Sequence, residues 1–210
     1  MIDIDNRISK IMDKMKKLSS KNLKFSCGEF PPKWKGPLSE EEVEAFEKEK
    51  GIKLPEDYRR FITTVASAGT QPFYGLYSLI DNKPKPAYEF NPIVEKVFPY
   101  TIKNPFWVGK MTDEEYEKFF NDDEDTSYMQ GYIWLCTEGC GMESILIVNT
   151  EDEETYGTVW FYDLCNDFGI APIFNPKTQK PMSFLDWLEY WVDQTLKLAE
   201  DEYFSYIELT

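Results

Sequence analysis

Carboxylates are the most abundant reactive side chains in this chain of 210 residues, which holds 38 Asp and Glu, four Cys and no His. Without histidine there is no Ser-His or Cys-His dyad, no His-based metal site and no side chain that titrates near neutral pH unaided. Lysine- or carboxylate-based chemistry stays open, but the acids are so many that spacing selects no catalytic pair. Two runs stand out: Asp122, Asp123, Glu124 and Asp125, then Glu151, Asp152, Glu153 and Glu154. The first run is not an EF-hand loop. Its sixth position is Ser127 rather than glycine, and its twelfth is Ile133 rather than glutamate. Tyr128 and Tyr156 follow the two runs and are candidate anchors that would bury a ring against a partner.

The cysteines offer less. Cys136 and Cys140 stand four apart, with Cys27 and Cys165 elsewhere. A structural zinc site wants two close pairs or histidine partners, so four thiols are expected, with no metal and no cofactor. Cys140, between Gly139 and Gly141, is the most reactive candidate. That Gly-Cys-Gly turn lacks the lysine and the extended glycine spacing of a phosphate loop.

Charge is unevenly placed along the chain. The net −15 divides into +5 over residues 1–37 and −20 over residues 38–210. Residues 111–167 hold 16 acids against a single base, Lys118. Such a field repels nucleic acid and anionic lipid and attracts a cationic protein. The plainer reading is a solvated acidic surface. No apolar run approaches the roughly 20 residues of a membrane span. Residues 1–17 lack the uninterrupted apolar core of a signal peptide. A cytoplasmic location is therefore expected.

These side chains need a scaffold, and residues 131–164 supply its centre. Three apolar runs, 132–136, 144–148 and 158–162, are rich in Ile, Val, Trp, Tyr and Phe and are parted by glycine-bearing breaks. They predict an antiparallel meander. Residues 145–148 are apolar at every position, which predicts cover on both faces and helices packed on the sheet. Residues 170–174 read as irregular, and residues 74–79 as one strand.

Helical signals flank the meander. Ile4, Ile8, Ile11, Met12, Met15 and Leu18 predict an amphipathic helix with a basic far side, packed on this chain's core or on a partner. Ser39 with Glu42 predicts a capping box, Gly51 a helix end, and Pro55 the start of a second helix burying Tyr58, Phe61, Ile62 and Val65. Thr112 with Glu115 caps a short helix. Ser183 caps a last one carrying Phe184, Trp187, Leu188, Trp191, Val192 and Leu196. Trp187, Leu188 and Trp191 are expected against Ile145, Ile147 or their neighbours. Five prolines between Pro84 and Pro105 argue against long elements there. The fold class is thus α+β: a single domain, an antiparallel β-sheet meander packed by an N-terminal αα-hairpin and a C-terminal helix. Residues 1–36 form a helix and connection, 37–199 the main domain, and 200–210 a tail.

The order of these pieces resembles the SUKH superfamily, which includes yeast cell-wall regulator-like domains and bacterial immunity proteins. The resemblance rests on Pro37-Leu-Ser-Glu-Glu-Glu-Val-Glu-Ala-Phe-Glu, then Gly51-Ile-Lys-Leu-Pro-Glu-Asp-Tyr, the Gly139-Cys-Gly141 turn, Gly157-Thr-Val-Trp160, and Ser183-Phe-Leu-Asp-Trp-Leu. Residues 82–125 depart from it, being long and acidic. The resemblance implies an α+β fold and no enzymatic activity. It also implies a cytoplasmic antidote that binds and neutralises a polymorphic toxin domain, often a nuclease or deaminase. A basic nuclease toxin would meet the acidic runs, with Asp122, Asp123, Glu124, Asp125, Glu151, Asp152, Glu153 and Glu154 as contacts. The alternatives are a scaffold for an endogenous basic protein and a carboxylate-based hydrolase.

Overall fold

The computed structural model describes residues 3–21, 23, 31–80, 88, 90–122 and 125–210. Helix α1 (Ile4–Lys17) begins at Asp3, whose carboxylate accepts the Asp5 amide, and buries Ile8, Ile11 and Met15. Helix α2 (Glu40–Lys50) opens on the expected box of Ser39 and Glu42 and stops at Gly51, whose φ of +66° suits a residue without a Cβ. Helix α3 (Glu56–Thr64) follows the short Ile52–Leu54 link and buries Tyr58, Phe61 and Ile62. Residues 34–35 (β1) and 68–69 (β2) pair beside this hairpin. Helices α4 (Asp113–Asn121) and α5 (Phe184–Thr195) both start with capping boxes, Thr112 with Glu115 and Ser183 with Asp186.

The meander is present and larger than expected. Strands β3 (Phe106–Trp107), β4 (Tyr132–Gly139), β5 (Met142–Ile147), β6 (Val159–Asp163) and β7 (Gly169–Pro172) form one antiparallel sheet in the order β3-β7-β6-β5-β4. Residues 169–172, read as irregular, are therefore a strand. Pro172 is tolerated because β3 pairs only with Gly169 and Ile170, so no neighbour needs its missing N–H on that side. Residues 74–79 are not a regular strand, since Gly75 adopts φ +122°. They still cover the outer edge of β4: Tyr77 N–H donates to Leu135 O at 2.8 Å, and Leu76 bridges to Cys136. An open strand edge would invite pairing with another chain.

The two faces of the sheet differ. Leu146, Val148, Val159 and Phe161 face α1, α3 and α5 in one mixed aliphatic and aromatic core. Tyr132, Trp134, Ile145, Ile147, Trp160, Tyr162 and Ile170 face the other way, into an aromatic layer with Tyr88, Phe98 and Val108. Trp187, Leu188 and Trp191 are buried as expected, in the core of Leu146, the neighbour of Ile145 and Ile147 that alternation along the strand turns to the helices. Helices α1, α3 and α5 therefore cover one face. The proline-bearing residues 88–111 cover the other.

Helix α1 belongs to the same core. Its basic side is exposed at Lys10, Lys16 and Lys17 as expected, but two of its cations turn to α5. Arg7 reaches Asp186 at 2.6 Å and Glu189 at 3.0 Å, and Lys14 reaches Glu189 at 2.9 Å and Asp193 at 2.8 Å, all on α5. The tail is also seated. Tyr206 is buried, stacks on Trp187 at 5.9 Å and donates its hydroxyl to the Trp187 carbonyl.

Candidate functional site

Hairpin register brings the acidic runs together. Tyr132 pairs with Ile147 and Gly139 with Met142, so the entry to β4 and the exit from β5 share one end, opposite the Gly139–Gly141 turn. Asp122 and Asp125 precede that entry, while Glu151, Asp152, Glu153 and Glu154 follow that exit. Asp123 and Glu124 lie outside the described residues. The turn at 100–104 bridges the two loops. Tyr100 shares a hydrogen bond with Ser127 at 3.2 Å, Ile102 N–H donates to the Thr155 hydroxyl at 3.3 Å, and Lys103 meets Glu154 at 3.4 Å.

Within each loop, some carboxylates hold the backbone. Asp125 accepts the Ser127 N–H at 2.8 Å, and Asp152 accepts the Thr155 hydroxyl at 2.6 Å. Both are half-buried, while Asp122, Glu151, Glu153 and Glu154 are exposed. Tyr128 is half-buried, its ring 5.8 Å from Phe90 and 5.3 Å from Phe119, which leaves part of it for a partner. Tyr156 is 39 % exposed, and its hydroxyl donates to Lys53 O at 2.9 Å, tying the second loop to the αα-hairpin. Partial burial raises its phenol's pKa, with Glu47 and Asp57 adding to the effect.

Among the described acids of residues 111–167, three do not face solvent: Glu138, Glu143 and Asp163 are 7 %, 0 % and 1 % exposed. Burial pushes Glu138 up to about 8, against the bonds it accepts from Ser205 and the Tyr206 N–H. Burial also raises Asp163, opposed by Asn166. The chain's external field is thus weaker than its composition suggests. Glu138 lines a hollow of about 80 Å³ with Phe73, Trp191 and Tyr203, too small for a substrate, and its carboxylate is occupied in holding the tail. Among the described residues, no three Cys, Asp or Glu side chains gather as metal ligands do.

Trp134 is buried in the aromatic layer, and Trp34 and Trp107 are half-buried. Tyr116 and Phe120, which the reading of the sequence passed over, are exposed on α4 beside the first loop. Their signal was an aromatic pair four residues apart within an acidic helix. Among the described residues, no helix is long and apolar enough to cross a membrane. A family model described as SMI1 / KNR4 family (SUKH-1) matches residues 37–189. No curated protein matches the chain.

Proposed function

We propose that this chain, which belongs to the SMI1 / KNR4 family (SUKH-1), is a cytoplasmic immunity protein that binds and neutralises a cognate toxin domain and catalyses no reaction. The observation that carries the reading is that the described parts of two acidic loops lie at one end of the sheet, bridged by the turn at 100–104. Loops on a fixed scaffold are where binding residues are commonly displayed. A nuclease toxin needs a basic cleft to hold phosphates, and an acidic protein occupies such a cleft as a mimic.

In this reading Asp122, Asp123, Glu124, Asp125, Glu151, Asp152, Glu153 and Glu154 set the encounter rate. Tyr128 and Tyr156 hold the complex once formed. Rim charge acts mainly on association, and desolvated aromatic contacts on dissociation.

The test replaces each acidic run with Asn and Gln and measures association with the cognate toxin domain across salt concentrations. Each replacement is expected to slow association by about tenfold at low salt and to flatten its salt dependence. Parental rates in both variants would overturn the placement of the interface. Failure to bind the toxin, with tight binding to an endogenous basic protein, would replace the antidote with a scaffold.

A further inference from the structure

Among the described residues, α4 is the one α-helix with no buried residue. It leans on the fold through half-buried Phe119, whose ring lies 4.9 Å from Phe106 and 5.3 Å from Tyr128. Asp113, Tyr116, Glu117 and Phe120 stand at i, i+3, i+4 and i+7, which places them on one face of the helix. Tyr116 is 38 % exposed, Phe120 is 44 % exposed, and their rings are 4.6 Å apart. The Tyr116 hydroxyl donates to Asp167 at 3.0 Å, which brings a third carboxylate to that face. Two large rings held side by side in water, ringed by acids, are the anatomy of a contact surface.

We propose that this face of α4 is a docking surface whose occupant is an arginine-bearing segment of a basic protein. Asp113, Glu117 and Asp167 set the sign of the occupant. The rings select the cation. A guanidinium is planar and weakly hydrated and stacks on an aromatic face, whereas an ammonium is compact and strongly hydrated. The chain already seats a cation this way nearby, with Lys110 Nζ 4.3 Å from the Trp107 ring centre. A second copy of the chain is disfavoured, because it would bring −15 against −15. The inference rests on the reading above that the partner is a basic protein, but not on the acidic loops as its seat.

The test uses labelled oligo-arginine and oligo-lysine peptides of equal length, titrated by fluorescence anisotropy against the full chain. The parent is expected to bind the arginine peptide about threefold or more tighter than the lysine peptide. The double variant Tyr116→Ala, Phe120→Ala is expected to lose about tenfold in arginine-peptide affinity and with it the preference. The variant Phe120→Tyr, which keeps both rings and the Tyr116–Asp167 bond, should hold the parental affinity. Circular dichroism shows whether each variant is folded, and exposure at both positions makes unfolding unexpected. Absence of peptide binding by the parent, equal affinity for the two peptides, or an alanine variant that binds like the parent overturns the proposal. Self-association of the parent that the alanine variant abolishes also overturns it. The loop variants run in parallel: weakening there with none at α4 leaves the acidic-loop reading standing, and no weakening in either set removes both.

Discussion

The carboxylate of Glu47 accepts the backbone N–H of Leu54 at 2.8 Å while only 3 % exposed. Glu47 lies on the last turn of α2 and Leu54 at the end of the link to α3, so one side chain fixes the corner of the αα-hairpin. Lys53 at 3.1 Å and Arg59 at 3.7 Å supply the opposite charge. Removing this carboxylate leaves a buried N–H without its acceptor. Glu47→Ala is expected to cost about 2–3 kcal/mol, and Glu47→Gln less, since an amide oxygen still accepts. Urea unfolding measures both, and an alanine variant within about 0.5 kcal/mol of the parent would sink the assignment.

Glu138 should make stability fall as pH rises. Its folded pKa is raised by burial from 4.5 to about 8, so it adds no penalty below its unfolded value. Between about 4.5 and about 8 the unfolded chain releases this proton and the folded chain keeps it, which favours unfolding. Glu189 acts in the opposite sense. Burial would raise its pKa, but its bonds to Lys14 and Arg7 outweigh that and lower it, so its contribution fails only as pH drops into the carboxylate range. The parent's unfolding free energy from urea titrations should fall from mildly acidic to mildly alkaline pH by an amount on the order of 3 kcal/mol. Glu138→Gln should flatten most of that slope. An unchanged slope would refute the role.

Helix α1 lies outside the matched span of 37–189, yet its side chains are in the core. Ile11 is 0 % exposed. Ile11→Ala is expected to cost about 3 kcal/mol through lost burial and the cavity left behind. Arg7→Ala should cost about 1 kcal/mol, because its ion pairs with α5 are half solvated. Calorimetry on the two variants separates an integral helix from an appendage. Parental melting of Ile11→Ala would make α1 dispensable.

Thiol reactivity should follow the turn. Cys140, at φ +54°, and Cys165 are exposed, whereas Cys136 is buried in β4. Cys27 lies outside the described residues, so the measurement belongs on Cys27→Ser. Two thiols are expected to react fast in the native state and the third only in denaturant. A Cys136 thiol that reacts at the rate of the other two would contradict the packing of β4.

Local rules were readable and long-range ones were not. Ser39 with Glu42, Thr112 with Glu115, and Ser183 with Asp186 announce their helices because a capping box is complete within one turn. Strand β7 was hidden because Pro172 reads as a breaker until the short reach of β3 is known. Ile145 and Leu146 look alike in sequence, and only register assigns one to the aromatic layer and the other to α5. The same holds for the candidate site. Asp122 and Glu151 share an end of the sheet because Tyr132 pairs with Ile147, a fact no local pattern carries. Counting acids also overstated the surface charge, since Glu138, Glu143 and Asp163 sit in strands covered on both faces.

The unlike faces of the sheet separate two duties. Leu146, Phe161 and Trp187 lie in the helix-packed layer, which closes the fold without help from α4 or the turn at 100–104. The opposite layer ends in α4, the 100–104 turn and both acidic loops. Substitutions confined to that rim therefore leave the buried contacts between the sheet and its helices in place, as a tool handle keeps its grip whatever head it carries.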